Sequence, residues 1–275
     1  LMGDICIQNL RVSFNGSPNK FVVNNISLTL KKGLITGLVG ESGSGKSILG
    51  MAILGLNPPD AKVEGEILYE NVNLAKADFS TLKCIRGKHI GLIPQSPLLS
   101  MNPVLQNYYQ VEEFLKTHTL LTKPERKEKI YKMMKKFGLE YPEKIFYKYP
   151  FQLSGGLRQR VISLFGTILE PEWIIADEPT KGLDAVLRRQ VFQSLKEVSK
   201  KSSLLVITHD MFFAKSICDY LFIFKEGKVI EHGSSKEIFY NPKEEYTKQL
   251  LDSIPRKIYK MEYRNERVKQ NASQC

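Results

Sequence analysis

LITGLVGESGSGKSILGMAILG, Leu34 to Gly55, is the stretch from which the fold can be read. Leu34 to Val39 is a short, nearly continuous apolar run, the pattern of a strand buried on both faces. The Gly-rich GESGSGKS, Gly40 to Ser47, follows. After it Ile48, Ala52 and Gly55 share one helical face, with Pro58-Pro59 as the expected stop. Strand, loop and helix in that order belong to an α/β fold, and two later stretches extend it. WIIAD (Trp173 to Asp177) and SLLVITH (Ser203 to His209) read as buried strands separated by a helical stretch, Ala185 to Lys200. Their alternation with helices implies right-handed βαβ crossovers and a mostly parallel core sheet.

Upstream of that unit the pattern is different. Leu10, Val12 and Phe14 share one face, as do Ile26, Leu28 and Leu30, so the first ~75 residues are expected to form an N-terminal antiparallel β layer. From about Asn107 to Leu169 the period is helical, with Pro124 near one helix start and Gly138 just past its end. In KPERKEKIYKMMKK, Lys123 to Lys136, and just beyond it, Ile130, Met133, Met134 and Phe137 recur at helical spacing. The lysines are then the wet face of an amphipathic helix. The expected organisation is one domain over residues 1–240, an α-helical subdomain of about 100–165 inserted into its α/β core, and a C-terminal extension over 241–275.

A chain of 275 residues with 42% hydrophobic content suits a globular core. The net charge of +11 comes without an aromatic-rich RNA motif or a DNA-reading module, so nucleic acid is not the expected partner. No run approaches the roughly 18 apolar residues of a membrane span, and LMGDICIQNL lacks the basic and apolar blocks of a signal peptide. These readings place the chain in the cytoplasm, at a membrane only through partners. Cys6, Cys84, Cys218 and Cys275 show no metal-ligand spacing and are expected as reduced thiols.

The loop makes the first chemical statement. Phosphates need many donors at close range, and Gly40, Gly43 and Gly45 allow successive N–H groups to form an anion nest under the positive end of the next helix. Lys46 then reaches β- and γ-phosphates, and the Ser47 hydroxyl ligates magnesium. Gly40, Glu41, Ser42, Gly43, Ser44, Gly45, Lys46 and Ser47 are therefore the candidate residues for ATP and Mg2+. WIIADE adds two carboxylates where a buried strand ends: Asp177 to hold magnesium's water shell and Glu178 to polarise an attacking water. Such a pair is otherwise a helix cap; the phosphate loop ahead of it supports the catalytic reading. His209 closes SLLVITH and emerges at the same carboxyl-end edge as Gly40 and Asp177, where it can hydrogen-bond a γ-phosphate.

Phosphate loops occur in many nucleotide hydrolases, and LSGGLRQR, Leu153 to Arg160, narrows the set. The order GESGSGKS, Gln95 in LIPQSP, LSGGLRQR, IIADEP, LDA at Leu183 to Ala185, and His209 resembles the ATP-binding cassette (ABC) family in motifs and spacing, over about residues 5–240. The resemblance implies the P-loop NTPase fold of an ABC ATPase, with two cassettes paired head to tail. Ser154, Gly155 and Gly156 open a predicted helix whose N–H groups are a second anion site. By the resemblance they cap the γ-phosphate on the partner cassette's loop. Gln95 would likewise touch magnesium and the attacking water, Asp184 would connect the two sites across the dimer, and Phe14 would stack on adenine. The other reading of Phe14 is a core strand residue.

EIFYNPKEEYTKQLLDSIP, Glu237 to Pro255, and LSMNPV, Leu99 to Val104, resemble the peptide and nickel importer branch, where a Pro, a Tyr-Thr pair and LLxSIP recur. Glu244-Glu245 stands where that branch usually has His-Pro. Some dipeptide members bind an iron–sulfur cluster through a cysteine cluster; with Cys275 alone here, no cluster is expected. The basic Arg256 to Lys269 reads as a solvated or docking extension. The branch implies the motor of a membrane importer for peptides, nickel or metal chelates, peripheral on the cytoplasmic face of the membrane. Its implied partners are a second, non-identical cassette forming a heterodimer, two membrane-spanning permease subunits and an extracytoplasmic substrate-binding protein. The alternative is a non-transport cassette ATPase acting on nucleic acid or the ribosome. Repair members insert long coiled coils between loop and signature and translation members usually fuse two cassettes, and neither pattern is read here. Lys46, Asp177, Glu178 and His209 argue against a non-hydrolysing scaffold.

Overall fold

The computed structural model describes residues 3–253. β1 (Ile5–Phe14) and β2 (Ser17–Leu30) pair antiparallel. Leu10, Val12, Ile26, Leu28 and Leu30 are buried and Phe14 is half-buried. The alternation first slips at Asn9, which takes a φ of 48° inside a register shift between Ile7 and Leu10. The extra residue returns Leu10 to the inner face, as a bulge does. β3 (Ile35–Val39) lies in a second sheet, and all five of its residues are buried.

α1 (Lys46–Ile53) follows the loop. It ends earlier than the Pro58-Pro59 stop suggests: Leu54 is its C-cap, and Gly55 lies beyond the helix at a φ of 60°, not on its face. A glycine past a helix end supplies the left-handed residue that turns the chain away. β4 (Ala61–Tyr69) and β5 (Val72–Asn73) complete the first sheet in the order β2-β1-β4-β5, antiparallel throughout.

α2 (Phe79–Ile85) leads to β6 (Ile90–Ile93). Then come α3 (Pro97–Ser100), α4 (Asn107–His118), α5 (Lys123–Lys136), α6 (Pro142–Phe146) and α7 (Gly155–Thr167). These helices pack around their own core, which includes Leu115, Ile130, Phe146, Val161 and Leu164. In α5, Thr122 and Glu125 form a capping box, Pro124 lies in the first turn, and Ile130, Met133 and Met134 are buried. Reciprocal capping satisfies two N–H groups that the first turn would otherwise leave open.

β7 (Trp173–Asp177), α8 (Ala185–Val198), β8 (Ser203–Thr208), α9 (Met211–Ile217), β9 (Tyr220–Lys225) and β10 (Lys228–Ser234) complete the second sheet and its helices. Its order is β10-β9-β3-β8-β7-β6, parallel except for the β9–β10 pair. α10 (Ser235–Tyr240) and α11 (Glu245–Asp252) follow. One face of this sheet packs on α1 and the antiparallel layer through Leu38, Leu49, Ile53, Trp173 and Phe224. The other packs on α8 to α11 through Leu195, Ala214, Ile217, Phe239 and Tyr246. Two covered faces explain why β3, β7 and β8 are apolar runs and do not alternate. Among the described residues no helix is long and apolar enough to cross a membrane.

Candidate functional site

The parallel register brings the chemistry to one edge. β3 pairs with β8 so that Val39 faces Thr208, and β7 pairs with β8 so that Asp177 faces Ile207. The loop after Val39, the acidic pair at the end of β7 and His209 therefore leave the sheet side by side. Ligands of parallel sheets bind beyond these carboxyl ends.

Packing constrains the loop. A Cβ on Gly40 would lie 2.0 Å from the Phe224 carbonyl oxygen, and one on Gly45 would lie 2.2 Å from that of Val22. Gly45 also has a φ of 103° and is the N-cap of α1 with no side-chain cap hydrogen bond. The first-turn N–H groups thus lack the acceptor a Ser or Asp cap provides, the condition under which a helix start takes an anion. Glu41, Ser42 and Gly43 are exposed, while Ser44 is buried with its hydroxyl donating to the Glu41 carbonyl at 2.8 Å.

Lys46 is buried, and its Nζ donates to the Gly40 carbonyl at 2.9 Å, the Glu41 carbonyl at 2.6 Å and Ser44 Oγ at 3.1 Å. Burial holds its pKa below the ordinary lysine range, opposed by the charges of Glu178, Asp177 and Glu41. The Ser47 hydroxyl donates to Asp177 Oδ1 at 3.0 Å. Burial raises the Asp177 carboxyl above its ordinary pKa, against the Ser47 hydrogen bond. Two hard oxygen donors side by side, one a carboxylate that burial makes costly to leave without a counter-charge, match what Mg2+ takes from a protein when substrate phosphates supply further ligands.

Glu178 has a φ of 46° and is buried. Its N–H donates to the Ile207 carbonyl at 2.8 Å. Its carboxylate accepts the His209 N–H at 3.1 Å and the Thr208 hydroxyl at 3.4 Å, and lies 2.7 Å from His209 Nδ1. The His209 ring is half-exposed. Thr208 was absent from the sequence reading; as the last residue of β8, beside His209, it had a signal only in its position.

The remaining candidates are less concentrated. Gln95 follows Ile93, which pairs with Ala176, so it leaves β6 at the edge where Asp177 and Glu178 leave β7. Phe14 ends β1, on the hairpin whose β2 brings the Val22 carbonyl against Gly45. Ser154 is the N-cap of α7, accepting the Leu157 N–H; it and Gly155 are exposed, and Gly156 is buried against Leu187. Asp184 is exposed and caps α8 by accepting the Leu187 N–H at 2.9 Å.

One contact was not foreseen. The Glu41 N–H donates to the Tyr246 hydroxyl at 3.2 Å, tying α11 to the loop. Burial raises the Tyr246 phenol above its ordinary pKa, with the Glu41 and Glu226 charges adding to it. Cys6, Cys84 and Cys218 are free thiols. Ile254 and Pro255, the basic stretch Arg256 to Lys269, and Cys275 lie outside the described residues.

The chain is similar to known proteins in both sequence and structure. A family model described as ABC transporter matches residues 23–181. The dipeptide transport ATP-binding protein DppD of Bacillus subtilis is 38% identical over 257 residues, 92% of this chain and 77% of its own length. The oligopeptide transport ATP-binding protein OppD of Lactococcus lactis subsp. cremoris is 35% identical over 236 residues, 85% of this chain and 70% of its own. A solved structure of the ATP-binding cassette MJ0796, a dimer in a post-hydrolysis state with ADP and Pi, superposes with a TM-score of 0.76 at 28% identity, covering 84% of this chain and 98% of that one.

Proposed function

The chain belongs to the ABC transporter family as one of its ATP-hydrolysing subunits, and from that premise we propose that it drives a peptide importer as one half of a cassette pair. The observation that carries this reading is the row at the sheet edge: Ser47 on Asp177, Glu178 on His209, and a buried Lys46 that feels the charge of both carboxylates. The dipeptide and oligopeptide transport relatives support peptide cargo. A dimeric neighbour supports pairing.

In this reading the loop N–H groups and the start of α1 take the ATP phosphates. Lys46 exchanges its loop acceptors for β- and γ-phosphate oxygens, trading neutral hydrogen bonds for charge-assisted ones. Ser47, Gln95 and Asp177 would hold magnesium, Asp177 through its water shell, and the ion would neutralise phosphate charge. Glu178 orients a water and takes its proton as the water oxygen bonds to the γ-phosphorus; the bond from that phosphorus to the β–γ bridging oxygen breaks, leaving ADP and phosphate. His209 turns from Glu178 to the γ-phosphate, and Phe14 stacks on adenine. Ser154, Gly155 and Gly156 complete the partner cassette's site, and Asp184 links the two sites. Gln95 passes the state of the site to the helical subdomain of about 100–165, which moves the membrane subunits. The domain spans 1–240 with an extension over 241–275. The assembly comprises this chain, a second, non-identical cassette, two permease subunits and an extracytoplasmic binding protein, with the cassettes on the cytoplasmic face of the membrane.

The test is purification with native partners, followed by mass spectrometry for peptides and elemental analysis for metals on the associated binding protein. Peptides on a membrane-sedimenting complex are expected. Metal without peptide overturns the cargo, and sedimentation with ribosomes in place of membranes overturns the motor reading.

A further inference from the structure

Tyr246 of α11 meets the phosphate loop at the Gly40–Glu41 peptide. The Glu41 N–H, which donates to the Tyr246 hydroxyl at 3.2 Å, belongs to the same peptide as the Gly40 carbonyl, which accepts from Lys46 Nζ at 2.9 Å. A trans peptide is planar with its N–H and C=O on opposite sides, so the two bonds grip one plane from both ends. Donation by the N–H also makes the carbonyl a better acceptor, because successive hydrogen bonds polarise one another. Tyr246 is itself well fixed. It is 8% exposed, its ring lies 4.6 Å from Lys225 Nζ, and the adjoining Thr247 is fully buried. Just before it the Glu231 carboxylate accepts the N–H groups of Lys243 and Glu244, at 2.8 and 3.2 Å.

We propose that Tyr246 is a positioning residue for the nucleotide site: its hydroxyl sets the Gly40–Glu41 peptide and, through it, the place from which Lys46 meets the phosphates. This rests on the ATP reading of the loop above. The effect falls on nucleotide binding and not on the water-activating step, because Glu178 and His209 are held by bonds of their own at the ends of β7 and β8.

The test compares the full-length wild type, Tyr246→Phe and Lys46→Ala. Mg-ATP binding is titrated calorimetrically, and hydrolysis is measured after assembly with the partner subunits. Tyr246→Phe keeps the ring over Lys225 and loses only the hydroxyl. It should weaken Mg-ATP binding about three- to tenfold, the worth of one net hydrogen bond. KM should rise in parallel, with kcat within about twofold of wild type. Hydrogen exchange across residues 40–47 of the nucleotide-free chain should be faster in the variant. A variant with a lower unfolding midpoint but unchanged affinity, KM and loop exchange would make Tyr246 merely structural and overturn the proposal. If Lys46→Ala loses binding while Tyr246→Phe keeps it, only the Tyr246 proposal falls. If Lys46→Ala binds as wild type does, the ATP reading of the loop falls and takes the proposal with it.

Discussion

Replacing Glu178 with glutamine removes one negative charge from the site and almost none of its shape. The carboxylate accepts the His209 N–H at 3.1 Å and the Thr208 hydroxyl at 3.4 Å, and lies 2.7 Å from His209 Nδ1. A glutamine oxygen keeps the His209 contacts, and its amide can donate to the Thr208 hydroxyl. Turning a charge-assisted contact into a neutral one costs about 1 kcal/mol, which lowers the unfolding midpoint of a domain this large by only about 2–4 °C. Affinity for ATP should hold or improve, since a negative charge beside the polyphosphate is gone. Turnover is a separate matter. Losing the group that polarises the water should cost at least about tenfold, and general-base losses run to about 10²–10⁴-fold, roughly 3–5.5 kcal/mol of barrier. The barrier effect exceeds the stability effect several times over, so the variant should be a folded, ATP-loaded and slow enzyme. Phosphate release by the assembled complex at saturating ATP, beside an Mg-ATP titration of the same preparation, reads both quantities. Wild-type-like release with intact binding would remove Glu178 from its role.

Three further outcomes are expected. Gly45→Ala puts a Cβ 2.2 Å from the Val22 carbonyl oxygen at a φ of 103°; it should destabilise the chain by roughly 1–3 kcal/mol and abolish Mg-ATP binding, and a wild-type unfolding midpoint would contradict the packing described. Ser154→Arg changes an exposed cap on α7, so the isolated chain should bind nucleotide normally while the assembled complex stops hydrolysing; undiminished hydrolysis would refute a signature that acts across the pair. Glu231 carries a carboxyl that burial would raise but the N–H groups of Lys243 and Glu244 hold below its ordinary pKa of 4.5. Its contribution to stability is therefore present above that value and lost as pH falls through the lower folded one, so Glu231→Gln should melt earlier than wild type near pH 7 and the gap should close in acid. A gap of equal size at about pH 3 would be inconsistent with that linkage.

What can be read locally is what local chemistry controls. The β3–loop–α1 unit is legible because its glycines answer to close backbone approach, and β7 and β8 because both of their faces are covered. β6 has four residues, too few to display a period, and was not foreseen. β9 and β10 carry a local signal: Glu226-Gly227 lies between two strand-like runs, and both residues take positive φ, 47° and 76°, as a tight hairpin turn requires. Glu244-Glu245, a departure from the importer branch, sits at the N-cap and first turn of α11. Acidic charge is favourable there against the helix dipole, so the departure is compatible with the same helix start.

Nonlocal pairings are invisible to a reading of one segment at a time, and they bring the site's side chains into contact. The Glu178–His209 contact exists because β7 and β8 are neighbours in one register, and the Glu41–Tyr246 contact spans 205 positions of sequence. Lys46 illustrates the consequence. Its identity and spacing predict a phosphate ligand, yet its ammonium is satisfied by two loop carbonyls and a serine hydroxyl. A buried cation without partners would carry a desolvation cost of several kcal/mol, so the loop holds the lysine on acceptors of its own. Those acceptors are neutral and phosphate oxygens are charged, so in the proposed function the exchange favours the nucleotide. The peptide that carries one of those acceptors, the Gly40 carbonyl, is the one whose N–H donates to Tyr246 of α11, the contact on which the proposed positioning role rests.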